Sequence, residues 1–208
     1  MIITRANRRR VLVPGQASQP ENQQQVLFDL LRRRHACRHF EHRPIPDSVL
    51  DKLVYAAHRA PTAGNAPYRF VVVVKDPTTL HMIRLVSPGF FGDCSAAIFV
   101  CTDLEVAARS GRQVYDQITH YDAGAAAENV ILAAYSMGLA GTFIKSYSET
   151  AVARILDLPD TCRTELLVSI GYPAADEPKP LKKRKGAKRT YTDRYGVLRV
   201  RNGGANEG

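Results

Sequence analysis

Apolar residues recur at helical spacing in three stretches of the chain. The first predicts a short helix over residues 24–33. The second predicts a helix that begins near Asp47 or Ser48, where Ser48 and Asp51 fit a capping box. In the third, residues 122–137 are apolar almost all round. Such a helix lies either at the centre of a core or at the seam of a dimer.

Three short apolar runs predict buried strands, at residues 70–74, 97–101 and 165–170. Residues 138–142 are interpreted as a glycine-flanked turn that follows the long helix, for which Asp122 is the expected N-cap. Helices and strands are mixed along the chain, without an internal repeat or a domain-scale linker. The pattern therefore predicts one α+β domain.

Composition and charge indicate where that domain begins and ends. The chain has 208 residues, of which 45% are hydrophobic and 24% charged, as in a soluble globular protein. Residues 1–23 are predicted to be a flexible basic arm, residues 24–197 the domain with a basic extension over 174–197, and residues 198–208 a flexible tail. The net charge of +9 resides in the two ends, so the body is slightly acidic. Nucleic acid is therefore not the expected partner of the domain.

Four widely spaced cysteines without a C-x-x-C pair are typical of a reduced, cytosolic protein. The first 25 residues lack an apolar core of signal-peptide length, and no stretch of about 20 apolar residues could span a membrane. These features predict a cytoplasmic location and no membrane contact.

The basic stretch from Arg33 to Phe40 is the main candidate for chemistry. A zinc site on its histidines and Cys37 is disfavoured, because the neighbouring arginines would repel a cation. The chain has no G-x-S-x-G, P-loop or G-x-G-x-x-G motif that would indicate a serine nucleophile or a familiar nucleotide site. Arg34 and Arg38 are four residues apart and could converge on a phosphate. The residues alone leave this anion site and a solvated basic turn equally possible.

The order of short motifs along the chain resembles the flavin-dependent nitroreductase family. R-H-A-C-R-H-F at residues 34–40 is followed by P-x-P, and A-P-T-A-G-N at residues 60–65 by the valine strand. Residues 122–139 look like that family's central helix and glycine turn, and a G-Y-P strand end completes the series. The resemblance covers roughly residues 26–196.

This resemblance implies an α/β sandwich in which helices flank a mixed central sheet. It also implies an obligate homodimer that binds one FMN at each end of its interface. The central helix would then be the dimer seam. The basic run near the C-terminus ends in Tyr191 and Tyr195, which favour packing, so we expect the basic extension to wrap the partner subunit and steady the phosphate.

The resemblance also implies four groups of cofactor-binding residues. The basic motif would contact the flavin and its phosphate, and the proline loop would reach the flavin from the partner subunit. The glycine turn would lie beside flavin N5, and a late basic residue would reach the phosphate. Carried over in that order, the candidates are Arg34, His35, Ala36 and Arg38; Pro61, Thr62, Ala63 and Asn65; Leu139, Ala140, Gly141 and Thr142; and Lys183 or Arg184, with Lys182 as an alternative. The family usually has Ser where Ala36 stands, and the Gln that usually follows the loop is missing here.

The implied activity is ping-pong hydride transfer from NADH or NADPH, through flavin N5, to a nitroaromatic, a quinone or a similar acceptor. No side chain has to act as acid or base in that scheme, because the flavin carries the chemistry. One alternative is a flavin-dependent oxidase or dehydrogenase that uses oxygen and acts on a peptide-derived or other small substrate, since Thr62 and the S-P-G-x-x-G turn look somewhat like the cyclodipeptide oxidase branch of the family. Another is a non-catalytic module that binds flavin or a polyanion.

Overall fold

A computed structural model of the protein describes residues 20–111, 114–177 and 189–197. The chain divides into two compact units, Met1–Pro178 and Lys179–Gly208. The second unit contributes a short turn in which the rings of Tyr191 and Tyr195 lie 4.7 Å apart. All the elements below belong to the first unit.

The described residues form six α-helices and four β-strands. The helices are α1 (Pro20–Arg33), α2 (Asp47–His58), α3 (Pro77–Leu85), α4 (Leu104–Arg109), α5 (Thr119–Ser136) and α6 (Glu149–Ile155). The strands are β1 (Arg69–Val74), β2 (Ala96–Asp103), β3 (Ala140–Ile144) and β4 (Cys162–Gly171). A short 3₁₀ turn covers Ala63–Asn65, and a π-helical turn covers Val114–Ile118. In the described ranges no helix is both long and apolar enough to cross a membrane.

The four strands form one sheet in the order β1-β2-β4-β3. Each neighbouring pair is antiparallel. The described strands therefore form an antiparallel sheet and not the mixed sheet that we expected. The physical reason is that β4 lies between β2 and β3. Strands β2 and β3 run in the same direction, but they are not neighbours, so no parallel pair forms between them.

Helices cover both faces of the sheet, which confirms the predicted α+β sandwich. On one face α2 and α5 bury Leu53 and Val130 against β-strand residues such as Val168. On the other face α3 and α6 bury Ile83 and Val152. Strand β2 is buried along almost its whole length, as its unbroken apolar run predicts.

Several predicted helix boundaries need correction. Helix α1 begins at Pro20 rather than at residue 24. Pro46 is the N-cap of α2 and no side chain caps that end, so the predicted capping box of Ser48 is wrong. Helix α5 begins at Thr119, which places Asp122 within its first turn instead of at the N-cap.

The predicted turn at residues 138–142 is in large part strand β3. Gly138 has a φ of 76°, which ends the helical path, and the chain enters the sheet at Ala140. Gly141 then pairs with Ile170 in the ladder. A Cβ atom at Gly141 would lie 2.1 Å from the backbone oxygen of Ser169. The glycine therefore allows close strand packing in addition to the turn.

We expect Gly141→Ala to lower the free energy of unfolding by about 1–3 kcal/mol, because the added methyl group overlaps a backbone atom that cannot move alone. Gly124→Ala is the matched control. A Cβ at Gly124, inside α5, has no neighbour within 4 Å, so this change should be neutral or stabilise by up to about 1 kcal/mol. Urea unfolding of both variants makes the comparison. Equal stability of the two would contradict the role given to Gly141.

Candidate functional site

The basic stretch crosses the end of the sheet where β3 begins and β4 ends. The backbone N–H of Cys37 donates to the carbonyl of Gly141 over 3.3 Å, and that of Glu41 donates to Tyr172 over 2.9 Å. Phe40 forms an isolated bridge with Pro173. The stretch therefore lies directly against Gly141, one of the residues predicted to flank a flavin.

Tyr135 of α5 fixes the start of this stretch. Its hydroxyl donates to the carbonyl of His35 over 2.9 Å and accepts from the N–H of the same residue over 3.2 Å. The two rings meet edge to face, with centroids 5.9 Å apart. The Nε2 atom of His35 is buried and has no hydrogen-bond partner among the described residues. A buried ring nitrogen without a partner indicates a place where a ligand can supply the missing bond.

The two arginines predicted to bind an anion are accessible. The Nε atom of Arg34 lies 3.4 Å from a carboxylate oxygen of Glu128, and both side chains are about one third exposed. A pair of this kind is weak, contributing about 0–1 kcal/mol, so Arg34 remains available to another anion. Arg38 is exposed, and its guanidinium lies 5.9 Å from the ring centroid of Phe91.

The backbone of the same segment is already bonded to a carboxylate. Glu177 accepts from the N–H of Arg38 over 3.3 Å and from the N–H of His39 over 2.7 Å. Glu177 belongs to the first unit, just before its boundary at Pro178. This carboxylate therefore ties the basic stretch to the chain that leaves the sheet.

Cys37 lies within the basic stretch but is an inert thiol. It is fully buried. Burial, followed by the negative charge of Glu177, raises its pKa to about 12. A thiol with such a pKa carries almost no thiolate at neutral pH and cannot act as a nucleophile. In the part of the chain that the structure describes, no three His, Cys, Asp or Glu side chains gather in a way that could hold a metal ion.

Side chains from α5 and β1 hold the proline loop, residues 60–65, in place. The Asp122 carboxylate accepts hydrogen bonds from the Ala63 N–H over 2.8 Å and from the Tyr68 hydroxyl. Arg69 donates to the carbonyls of Ala60 over 2.5 Å and Pro61 over 2.9 Å. Burial and the hydrogen bond to Asp122 raise the pKa of Tyr68 to about 12, so its hydroxyl stays a donor at neutral pH.

The other side of this loop carries polar groups that have no partner in the described residues. The side chains of Thr62 and Asn65 make no hydrogen bond there, and Asn65 is exposed. Gly64 and Asn65 both have a positive φ, of 60° and 54°, which turns the loop sharply and holds Asn65 outward. A rigid loop with free polar side chains is suited to bind the polar edge of a ligand.

Comparisons with known proteins decide the family. The model of the nitroreductase family matches residues 31–84 and 81–172. The chain belongs to the nitroreductase family. A relative from Archaeoglobus fulgidus, whose name contains the words NAD(P)H nitroreductase, is 32% identical over 154 residues, which cover 69% of this chain and 83% of the relative.

Solved structures confirm the nitroreductase fold. A protein from Parabacteroides distasonis superposes with a TM-score of 0.70 at 23% identity, covering 81% of this chain and 98% of that chain. An FMN-dependent nitroreductase from Clostridium difficile R20291 gives a TM-score of 0.68 at 20% identity, covering 81% and 99%. These structures show the fold alone. The match to the family model and the A. fulgidus relative confirm the resemblance inferred from the sequence motifs, and with it membership of a family of oxidoreductases.

Three of the four predicted groups of site residues fall within the described ranges, and one chain brings two of them together but not the third. The basic stretch is hydrogen-bonded to Gly141 of the predicted glycine turn. The proline loop is held at Asp122, thirteen residues before Tyr135 on α5. At 1.5 Å per residue these two anchors are about 20 Å apart along the helix. Lys182, Lys183 and Arg184 lie outside the described residues, and the cofactor contacts of all four groups stay predictions.

Sequence reasoning missed the residues that hold the site in place. Tyr135 falls within the predicted apolar helix, and Tyr68 and Arg69 directly precede the predicted strand at residues 70–74, but no role at the site is predicted for any of them. A usable signal was present, since a buried tyrosine needs a partner for its hydroxyl. Asp122 was noticed as a helix cap, and its position one turn inside α5 leaves its carboxylate for the loop.

We expect Asp122→Ala to lower the free energy of unfolding by about 1–3 kcal/mol, because the buried Tyr68 hydroxyl would lose its acceptor and the Ala63 N–H would keep only its 3.1 Å bond to that hydroxyl. Asp51→Ala is the matched control. Asp51 is exposed on α2, and its loss should change stability by no more than about 0.5 kcal/mol. Urea unfolding measures both. If Asp122→Ala were as harmless as Asp51→Ala, the proposed clamp on the loop would be wrong.

Proposed function

We propose that this nitroreductase family member is an FMN-dependent oxidoreductase that accepts electrons from NADH or NADPH and passes them to a nitroaromatic, a quinone or a similar acceptor. Membership of the family supports the class of reaction. The names of similar proteins, which include an NADPH-dependent oxidoreductase of Staphylococcus aureus and the FMN-dependent C. difficile enzyme, support the donor and the cofactor. The observation that carries the proposal is the anchored basic stretch beside β3.

The residues present fit an FMN molecule. Its phosphate is a dianion, and the weakly paired Arg34 and the exposed Arg38 offer the charge-assisted donors that such a group requires. The isoalloxazine ring has polar edges, and Thr62, Asn65 and the buried Nε2 of His35 offer unpaired polar groups. Ala36 replaces the usual serine, so only its backbone can contribute there.

When bound, FMN supplies hydride and electron transfer at N5. The protein residues contribute placement and electrostatics. The positive charges of Arg34 and Arg38 stabilise negative charge that develops on a bound ligand. Tyr135 and the Asp122 clamp hold the two contacting segments in position before a ligand arrives, so that less ordering entropy is lost on binding.

A homodimer would complete the site. The loop and the basic stretch are anchored far apart on α5, so one chain does not bring them together. The family resemblance implies a homodimer in which the loop of one subunit lies against the basic stretch of the other. Helix α1 offers an apolar surface for such a partner, since Val26, Phe28 and Leu31 are 54%, 53% and 45% exposed. An exposed patch of this kind marks an interaction surface.

We expect the double variant Arg34→Ala/Arg38→Ala to bind FMN at least about tenfold more weakly, because two charge-assisted contacts to the phosphate are lost. Riboflavin, which has no phosphate, should lose less affinity. Flavin fluorescence titration of the apoprotein measures both constants. Arg154→Ala, an exposed arginine on α6, is the control and should bind FMN like the wild type. Unchanged FMN affinity in the double variant would refute the assignment of these arginines, even for a true flavoprotein.

Anaerobic mixing with NADH or NADPH tests the direction of the reaction. We expect the flavin absorbance near 450 nm to bleach rapidly with at least one of the two donors, and to return when a quinone is added. Stopped-flow absorbance follows both steps. A flavin that stays oxidised with both nucleotides but is reduced by a peptide-derived donor would favour the oxidase alternative instead. A purified protein that is colourless and takes up no FMN would contradict the proposal itself.

A further inference from the structure

A cavity outside the candidate flavin site lies on the α3 side of the sheet, at the end of β1. Its volume is about 470 Å³, within the range of small-molecule sites. It is bounded by three segments of the chain, which are residues 42–44, residues 75–84 and residues 93–95. None of the residues predicted to contact the flavin lines it.

The floor of this cavity is apolar and its rim is cationic. Leu80 and Cys94 are buried beneath it. Burial raises the pKa of Cys94 to about 11, so the floor carries no charge at neutral pH. The rim contains Arg43, Lys75 and Arg84, against Asp93 as the one acidic residue in the lining, so the lining has a net positive charge before its two histidines are considered.

Arg43 is held in place by an aromatic ring. Its guanidinium carbon lies 3.8 Å from the ring centroid of Tyr172, a close cation–π contact. The Arg43 carbonyl accepts a hydrogen bond from the Ser95 hydroxyl over 2.5 Å, which fixes the backbone at the edge of the cavity. Within the described ranges the guanidinium makes no hydrogen bond or ion pair, so its donors are free.

Arg84, which also lines the cavity, is held in a similar way. Its guanidinium carbon lies 5.4 Å from the ring centroid of Phe90, and one of its terminal nitrogens lies 2.7 Å from Asp93. Its Nε atom has no partner among the described residues. Lys75 completes the rim, and its ion pair with Asp47 at 2.5 Å is exposed on both sides and therefore weak.

We propose that this cavity binds a small organic anion, composed of an apolar body and one carboxylate or phosphate group, with Arg43 and Arg84 as the anion-binding residues. The two arginines are already ordered by their aromatic neighbours, so little side-chain entropy is lost when they bind. The apolar floor of Leu80 and Cys94 then receives the body of the ligand. This site is additional to the proposed flavin site and does not depend on it.

Isothermal titration calorimetry of the full chain with benzoate, phenyl phosphate and inorganic phosphate tests the proposal. We expect saturable binding of benzoate or phenyl phosphate, and the tighter of the two identifies the preferred anionic group. Inorganic phosphate should bind at least about tenfold more weakly, because it has no apolar body to bury. No saturable binding of either aromatic anion would overturn the proposal.

Substitution of the two arginines tests whether the aromatic anion binds in this cavity. Arg43→Gln and Arg84→Gln should each weaken the preferred aromatic anion at least about tenfold, which corresponds to the loss of one charge-assisted contact. Arg154→Gln should leave the affinity unchanged. Arg43 is exposed, so its variant keeps the test valid if Arg84→Gln fails to fold. Equal affinities in Arg43→Gln and Arg154→Gln would overturn the proposal, as would displacement of bound flavin by the aromatic anion.

Discussion

The close packing of α5 against the sheet is the constraint on which the rest of this structure depends. The helix faces the sheet with small side chains, including the fully buried Ala126, Ala127 and Ala134. Such side chains let a helix axis approach a sheet closely, and Val130 fills the remaining space. Both segments of the candidate site are anchored to this one helix, at Asp122 and at Tyr135. The position of the site is therefore set by packing in the core rather than by the loops themselves.

The hydrophobic pattern was sufficient to predict the class of fold. It located α2, α5 and three of the four strands, because long apolar stripes and unbroken valine runs have few alternatives. It missed β3, because Ala140 and Gly141 have little strand propensity and the pairing with β4 compensates for that. It also gave the wrong cap for α2, since Pro46 begins that helix without any side-chain hydrogen bond.

At the candidate site, only the residues expected to contact a ligand could be predicted from the sequence. The motif around Arg34 and the loop around Asn65 could be recognised by their order in the chain. Their supports could not, because Tyr68 and Asp122 are 54 residues apart in sequence and meet only after β1 and α5 have packed. A pattern of local spacing has no access to such a contact. The same holds for the ring of Tyr172, which orders Arg43 although the two residues are far apart in the sequence.

The Glu177 carboxylate has a consequence for how the basic stretch can recognise a negative ligand. Consecutive backbone N–H groups, such as those of Arg38 and His39, form an anion-binding concavity in many proteins. Here the protein's own glutamate already fills that role. A diffusing anion would have to compete with a tethered one at very high effective concentration. Selectivity in this segment therefore falls to the flexible guanidinium groups, which can adapt to ligands of different shape, and not to the rigid main chain.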